Sequence, residues 1–219
     1  MPVGALIAYN NVGTPADAGQ RQAEMGNARP KRIMVAITGA SGSIYARRFL
    51  ETVRSAYDCV YLTASENAIA IAEHEIGFSK IGDFVPDASD GTFRLLDAGD
   101  MFAPPASGSH EYEGLVVVPC SMGVVGRIAS GVSNDLVTRA ADVCLKERRK
   151  LVLVIRESPL SLIHLRNLTA LAEAGATILP AAPAFYGRHD TVDDLVDFVV
   201  DKVCRVLDID VRLTDGWGE

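Results

Sequence analysis

Small residues interrupt an apolar run near the start of this chain, and their types and spacing are those of a phosphate-binding turn. The run Arg32–Ile37 is rich in aliphatic residues, as expected of a buried parallel strand, and Gly39-Ala40-Ser41-Gly42 follows closely. A helix that begins after this turn points backbone N–H groups and the positive end of its dipole at one spot. The sequence therefore predicts a phosphorylated cofactor here. The spacing differs from Gly-x-Gly-x-x-Gly, so an ordinary strand-to-helix turn stays open as the alternative.

Three other positions repeat this placement of polar groups after an apolar run. Ser65 and Ser121 each stand between such a run and a helical pattern, and their hydroxyls with the adjoining amides suit phosphate and heterocycles. The charged pair Arg156-Glu157 ends a further apolar run. An exposed ion pair in a loop contributes little. Ligands of open α/β sheets, however, bind at the carboxyl ends of the strands, which favours a functional role for this pair.

The densest basic cluster of the chain is Lys146-Glu147-Arg148-Arg149-Lys150, at the end of a predicted helix. Cations at that position complement the helix dipole and need no other role. The alternative is that one of them turns inward to hold a phosphate. Helical periodicity does not distinguish which member that would be.

The elements that must position these groups alternate between strands and helices. This alternation predicts a single α/β domain with a doubly wound parallel sheet and helices on both faces. The predicted strands are Arg32–Ile37, Cys59–Leu62, Phe93–Leu96, Gly114–Val118, Leu151–Ile155 and Ala176–Leu179. The predicted helices are Ile44–Val53, Ser65–His74, Asn134–Arg149 with Asn134 as its cap, Ser161–Ala174 and Thr191–Leu207. Four carboxyl ends should meet at one edge of the sheet: Gly39–Ser41, Thr63–Ser65, Pro119–Gly123 and Arg156–Glu157.

Composition limits the class of protein. The chain has 219 residues, of which 48% are hydrophobic and 22% charged, enough for a full core. A formal net charge of -7 without a basic stripe argues against nucleic acid as a partner. No apolar run is long enough to span a bilayer, and the four cysteines form no Cys-x-x-Cys pair. We therefore expect a cytoplasmic protein without membrane association or bound metal.

Residues 1–30 stand apart from the folded domain predicted over residues 31–219. They contain Gly, Ala, Asn, Pro and Gln with little periodicity. They are predicted to be a flexible extension or an arm on a neighbouring subunit. An upstream choice of start codon is the third possibility.

Seven motifs, in this order, resemble those of the flavin prenyltransferases, the UbiX family. The resemblance extends from about Arg32 to Trp217. The set and its order make it specific, which the Gly-Ala-Ser-Gly turn alone would not. The motifs are Thr38-Gly39-Ala40-Ser41-Gly42, Ala103-Pro104-Pro105-Ala106-Ser107-Gly108-Ser109, Pro119-Cys120-Ser121, Arg139-Ala140-Ala141-Asp142-Val143, Leu145-Lys146-Glu147-Arg148-Arg149, Arg156-Glu157-Ser158-Pro159-Leu160 and Pro180-Ala181-Ala182-Pro183-Ala184-Phe185-Tyr186.

This resemblance implies a Rossmann-like flavoprotein fold and a metal-independent group transfer. A dimethylallyl group from dimethylallyl monophosphate is expected to form bonds with N5 and C6 of reduced FMN, and the diphosphate stays open as donor. The product, prenylated FMN, is expected to pass to a UbiD-type decarboxylase. The resemblance also implies a dodecamer. Two alternatives remain, an FMN-dependent decarboxylase of the cysteine-peptide type and a non-catalytic flavin carrier subunit.

The resemblance also implies roles for individual residues. Catalytic roles fall to Ser41, Glu75 and Glu157, the last as the group that moves a proton to the leaving phosphate. The residues implied to contact FMN are Gly39, Ala40, Ser41, Ser65, Ser121, Met122, Gly123, Val124 and Arg156. The residues implied to serve the prenyl phosphate are Lys146, Tyr186 and Lys202, with Trp217 lying against the site. The chain departs from common family residues at Val124, Lys202 and Met101, where threonine, arginine and tryptophan are frequent.

Overall fold

The computed structural model describes residues 30–86, 91–185 and 190–214. The described residues fall in the unit Lys31–Glu219, apart from Pro30, which belongs to the preceding unit Met1–Pro30. All elements below belong to the second unit. The flexible extension predicted for residues 1–30 lies almost wholly outside the described ranges and stays a prediction.

Six strands form one parallel sheet. In chain order, β1 to β6 are Arg32–Ile37, Cys59–Ala64, Phe93–Leu95, Gly114–Cys120, Lys150–Ile155 and Thr177–Pro180. Their order across the sheet is β3-β2-β1-β4-β5-β6, and every neighbouring pair is parallel. The chain reverses the direction in which the sheet grows between β1 and β4. This doubly wound order confirms the predicted fold class and places a ligand crevice at that reversal.

Six α-helices within the described residues pack on the sheet. In chain order, α1 to α6 are Ser43–Val53, Glu66–Ile76, Met122–Ala129, Leu136–Lys146, Leu162–Glu173 and Val192–Val206. Five of them begin where a side-chain oxygen accepts a hydrogen bond from the amide three residues on. These caps are Ser65, Ser121, Asp135, Ser161 and Thr191. The exception is α1, whose N-cap residue, Gly42, has no side chain to accept such a hydrogen bond.

Two apolar clusters hold the layers together, one on each face of the sheet. Side chains along β1 alternate between the two clusters. Ile33 and Val35 face the cluster under α1, α2 and α6. Met34 and Ala36 face the cluster under α3, α4 and α5. All four side chains are buried. A parallel sheet covered on both faces leaves the ends of its strands as the places where polar loops can meet.

The predicted elements are confirmed to within a few residues, and the differences have local causes. The helix predicted from Asn134 begins at Leu136, because the Asp135 carboxylate caps it while the Asn134 side chain accepts a hydrogen bond from Arg127. The strand predicted to end at Val118 continues through Pro119 to Cys120 with an irregular register. Proline supplies no N–H to the ladder, so the pairing is interrupted there rather than ended.

Candidate functional site

The carboxyl ends of β1, β2, β4 and β5 meet at one side of the sheet, here called the carboxyl edge. Backbone hydrogen bonds join neighbouring ends directly. The N–H of Ser65 donates to the carbonyl of Ile37 at 3.0 Å, and the N–H of Arg156 donates to the carbonyl of Cys120 at 3.3 Å. The predicted convergence of the four strand ends is confirmed.

Thr38, which sequence reasoning did not single out, ties the loop after β1 to the loop after β4. Its buried hydroxyl donates to the Pro119 carbonyl at 2.9 Å and accepts from the Ser121 N–H at 2.9 Å. Its own N–H also donates to the Pro119 carbonyl, at 3.2 Å. These three bonds fix the two loops against each other. A hydroxyl residue directly after an apolar strand is the sequence signal for such a role.

The turn after β1 consists of residues that leave no room for larger side chains. A Cβ on Gly39 would lie 2.9 Å from the Cβ of Asn67 on α2. Gly42 has a φ of 111°, in the left-handed region that favours glycine. Ala40 is buried, whereas Ser41 is exposed. Ser41 is therefore the side chain that this turn presents at the carboxyl edge.

The carboxylate of Glu75, from the last turn of α2, caps the N-terminus of α1. It accepts hydrogen bonds from the N–H of Gly42 at 3.0 Å, from the N–H of Ser43 at 2.8 Å and from the Ser41 hydroxyl. Burial raises the pKa of Glu75, but the hydrogen bonds from Ser41, Ser43 and Gly42 outweigh burial and hold the pKa below its ordinary value. The amides predicted to bind phosphate at this turn are thus already bonded to a side chain of the protein.

The Glu75 cap should make the stability of this domain depend on pH in the acid range. Because its pKa is lower in the folded chain, the ionised carboxylate contributes stability above its ordinary pKa of 4.5, and this contribution is lost as the pH falls below that value. We expect Glu75→Gln to lower the midpoint of thermal unfolding at neutral pH, and the difference from wild type to shrink in acid. Thermal unfolding across pH measures this.

The control for this prediction is Glu73→Gln, which changes an exposed carboxylate on the same helix. It should shift the midpoint little at any pH. A Glu75→Gln difference that stays constant from neutral pH to acid would contradict the role assigned to the carboxylate.

Arg156 joins the end of β5 to the same group. Its Nε donates to the carbonyl of Ser41 at 3.1 Å, and its two terminal nitrogens make no hydrogen bond to any described residue. The first amides of α3, those of Met122 and Gly123, likewise have no partner within residues 30–86, 91–185 and 190–214, as is usual at a helix start. These donors fit an anion better than the capped start of α1.

The remaining residues implied to contact FMN differ in what they present. Ser65 and Ser121 use their hydroxyls to cap α2 and α3. The side chains of Met122 and Val124 lie in the apolar cluster under α3. Backbone atoms, rather than side chains, are therefore what these two positions offer at the carboxyl edge.

Glu157 directly follows Arg156 and is exposed at the carboxyl edge. Its Oε1 accepts a hydrogen bond from the N–H of Ser158 at 3.1 Å. The structure thus places Glu157 one residue from the linked group of Ser41, Glu75 and Arg156. A carboxyl group at that place can accept or deliver a proton at the rim of the site.

Lys146 lies at the opposite, amino edge of the sheet in its own chain. It ends α4 just before β5 begins, and its Nζ contacts Glu147 at 2.5 Å. Both side chains pack over Gly108, where a Cβ would lie 2.7 Å from the Lys146 Nζ. Because β4 has seven residues, the two edges are about 20 Å apart. Lys146 therefore does not reach Ser41 or Arg156 of the same chain.

Lys202 also lies away from the carboxyl edge. The start of α6 is near that edge, since Asp193 is 3.8 Å from Arg47 in the first half of α1. Lys202 is about 15 Å further along the axis of α6, with its Nζ 5.3 Å from the centroid of the Phe198 ring. Two other residues implied by the resemblance, Tyr186 and Trp217, lie outside the described residues.

Two further properties concern the residues that the structure describes. Among them, no group of three or more His, Cys, Asp or Glu side chains is placed to hold a metal ion. No helix in those ranges has the length and apolar character needed to cross a membrane.

The doubly wound sheet and the small, hydroxyl-bearing turns at its carboxyl edge define an α/β protein of the nucleotide-binding type. The model of the family described as Flavoprotein matches residues 21–204. A relative from Pseudomonas aeruginosa named flavin prenyltransferase UbiX is 42% identical over 199 residues, which cover 87% of this chain and 95% of the relative. A protein of the same name from Methanocaldococcus jannaschii is 41% identical over 189 residues, 85% of this chain and 98% of the relative. The chain belongs to the flavin prenyltransferase UbiX family of flavoproteins.

Solved structures agree with this family. AnUbiX, crystallised with FMN and dimethylallyl pyrophosphate, has a TM-score of 0.80 and 39% identity, and the match covers 87% of this chain and 99% of that chain. A dodecameric FMN-dependent UbiX-like decarboxylase from Escherichia coli has a TM-score of 0.73 and 38% identity, over 80% of this chain and 93% of that chain. An FMN-dependent cysteine decarboxylase at 16% identity and a TM-score of 0.52 shows the fold alone.

Proposed function

We propose that this chain transfers a dimethylallyl group from dimethylallyl monophosphate to N5 and C6 of reduced FMN. The observation that carries the proposal is the linked group of Ser41, Glu75 and Arg156 at the carboxyl edge, with Glu157 beside it, in a chain 42% identical to a flavin prenyltransferase. The product, prenylated FMN, would serve a UbiD-type decarboxylase.

The residues at the carboxyl edge fit FMN. Arg156 and the first amides of α3 offer donors for its phosphate, and Gly39, which leaves room for Asn67, lets the loop after β1 pack closely against α2. Reduced flavin supplies the nucleophilic ring atoms. The Ser41 hydroxyl, hydrogen-bonded to the Glu75 carboxylate, holds a proton that can be exchanged with a ligand at the carboxyl edge.

The other half of the reaction is departure of phosphate from an allylic carbon. That step needs cations to neutralise the developing negative charge and a proton for the leaving oxygen. Lys146, Lys202 and the Tyr186 hydroxyl are proposed for the first task. Glu157 is proposed for the second, and it would also take up the proton released from the flavin.

The distance between the two edges implies that a second copy of the chain completes the site. Lys146 and Arg156 are separated by about the length of a strand within one chain. They can serve one active site, Arg156 at the FMN phosphate and Lys146 at the prenyl phosphate, only if they belong to different copies, as in a homo-oligomer. The dodecameric relative from Escherichia coli supports an assembly of this kind.

Complementation tests the shared site. Lys146→Ala and Arg156→Ala chains should each be inactive alone, because each removes one phosphate-binding cation. Oligomers assembled from an equal mixture should recover roughly a quarter of wild-type turnover, since that fraction of sites pairs an intact Lys146 with an intact Arg156. Mixed oligomers confirmed by native mass spectrometry that stay inactive would contradict the arrangement.

The direct test of the function is an anaerobic incubation with reduced FMN and dimethylallyl monophosphate, followed by mass spectrometry of the released flavin. A flavin heavier by one five-carbon unit is the expected result. Unmodified flavin, with FMN shown to be bound, would reject the monophosphate reaction. Repeating the incubation with the diphosphate then separates a different donor from a decarboxylase or carrier.

We also propose a cytoplasmic location. All four cysteines are buried free thiols, as is usual for proteins of reducing compartments.

A further inference from the structure

Asp201 is a buried carboxylate that the transfer chemistry does not use. It lies on the core-facing side of α6, and its exposed fraction is 1%. Val199, Val200, Val203 and Cys204 around it are buried in the apolar cluster under α1, α2 and α6. A carboxylate in such surroundings is unfavourable unless each oxygen finds a donor.

Two donors meet Asp201, one from its own helix and one from beyond it. Oδ2 accepts from the Arg205 Nε, one turn further along α6, at 2.6 Å. Oδ1 accepts from the N–H of Leu213 at 3.1 Å, twelve residues along the chain and past the end of the helix. The chain after α6 therefore folds back along the helix and is held there by this carboxylate.

The segment 208–214 also packs on the core. Ile209 and Leu213 lie against the apolar cluster, and the N–H of Ile209 donates to the carbonyl of Cys204 at 2.9 Å. Burial and the nearby Asp201 charge raise the pKa of the Cys204 thiol to about 12. The Asp201 side chain thus lies within the reversal that the segment makes around the end of α6.

We propose that Asp201 is a positioning residue, which fixes the segment 208–214 beside Lys202. Asp201 directly precedes Lys202, so the carboxylate that holds Leu213 also sets where the returning chain passes relative to that cation. Trp217 follows only four positions after Leu213. The functional consequence depends on the proposed function, in which Lys202 and Trp217 serve the prenyl phosphate. The hydrogen bond from Leu213 to Asp201, here called the anchor, does not depend on it.

The anchor is tested by hydrogen exchange in full-length Asp201→Ala protein. Alanine favours helix, and Arg205, whose side chain is 45% exposed, can turn to solvent, so α6 should persist. The Leu213 amide should exchange up to about tenfold faster, the change that loss of one hydrogen bond produces. The fluorescence anisotropy of the single tryptophan, Trp217, should fall as well.

Asp197→Ala is the matched control. It removes another α6 carboxylate, the partner of Arg48 at 2.5 Å, and should leave exchange at Leu213 unchanged. Asp201→Asn keeps an oxygen for the Leu213 N–H and should preserve slow exchange. Fast exchange in the asparagine variant, or wild-type exchange in the alanine variant, would overturn the anchor.

The positioning role is tested by kinetics on the same variants. Asp201→Ala should raise the KM for dimethylallyl monophosphate up to about tenfold and leave FMN affinity unchanged, because the segment is displaced from Lys202 but not from the carboxyl edge. Faster exchange with an unchanged KM would overturn the positioning role. If the wild type forms no prenylated flavin, the proposed function fails, while exchange at Leu213 still decides the anchor.

Discussion

Glu157→Gln should slow prenyl transfer by about two to three orders of magnitude and leave FMN binding intact. Glutamine keeps the size of the side chain and its acceptor oxygen for the N–H of Ser158, but it carries no proton that can be transferred. Flavin contacts assigned to Arg156 and to the loops after β1 and β4 are unaffected. Single-turnover formation of prenylated flavin, measured beside a flavin titration, separates the two effects.

A surface carboxylate supplies the control for this result. Glu51 on α1 pairs with Arg48 at the surface, so Glu51→Gln should turn over at the wild-type rate. Unchanged turnover in Glu157→Gln would reject Glu157 as the proton carrier. A loss of flavin binding equal to the loss of turnover would reassign it to binding.

Thr38→Val should destabilise the domain by about 2–3 kcal/mol and weaken FMN binding. The substitution preserves shape, but it removes the hydroxyl that donates to Pro119 and accepts from the part-buried N–H of Ser121. The amide is left without a partner, and the loops after β1 and β4 lose their link. For a domain of this size the thermal midpoint should fall by roughly 5–10 °C.

Thr63→Val provides the matched comparison for Thr38→Val. Thr63 is equally buried, on the neighbouring strand β2, but its hydroxyl has no hydrogen-bond partner among the described residues. Its replacement should leave the free energy of unfolding unchanged or raise it, because an unsatisfied buried group is removed. Equal losses in both variants would show that the link between the loops is not the source of the effect.

The sequence by itself determined the alternation of strands and helices and the side of the sheet where function lies. Runs such as Gly114–Val118 are too apolar to be anything but buried, and Ser65, Ser161 and Thr191 mark helix starts that the structure confirms. These signals are local, because periodicity and capping involve residues within about four positions of each other. The rule that strand ends converge then carried the prediction to Arg156 and Glu157.

Only the tertiary structure decided which polar groups meet. Glu75 caps Gly42 from 33 residues away, Thr38 reaches Ser121 across 83 residues, and Asp201 binds the chain beyond its own helix. The position of Lys146 differs from these, because it follows from the alternation of elements: a helix that returns antiparallel to the strands ends at the amino edge. The three long-range contacts depend on how whole layers pack, and no pattern within a few residues of the sequence encodes them.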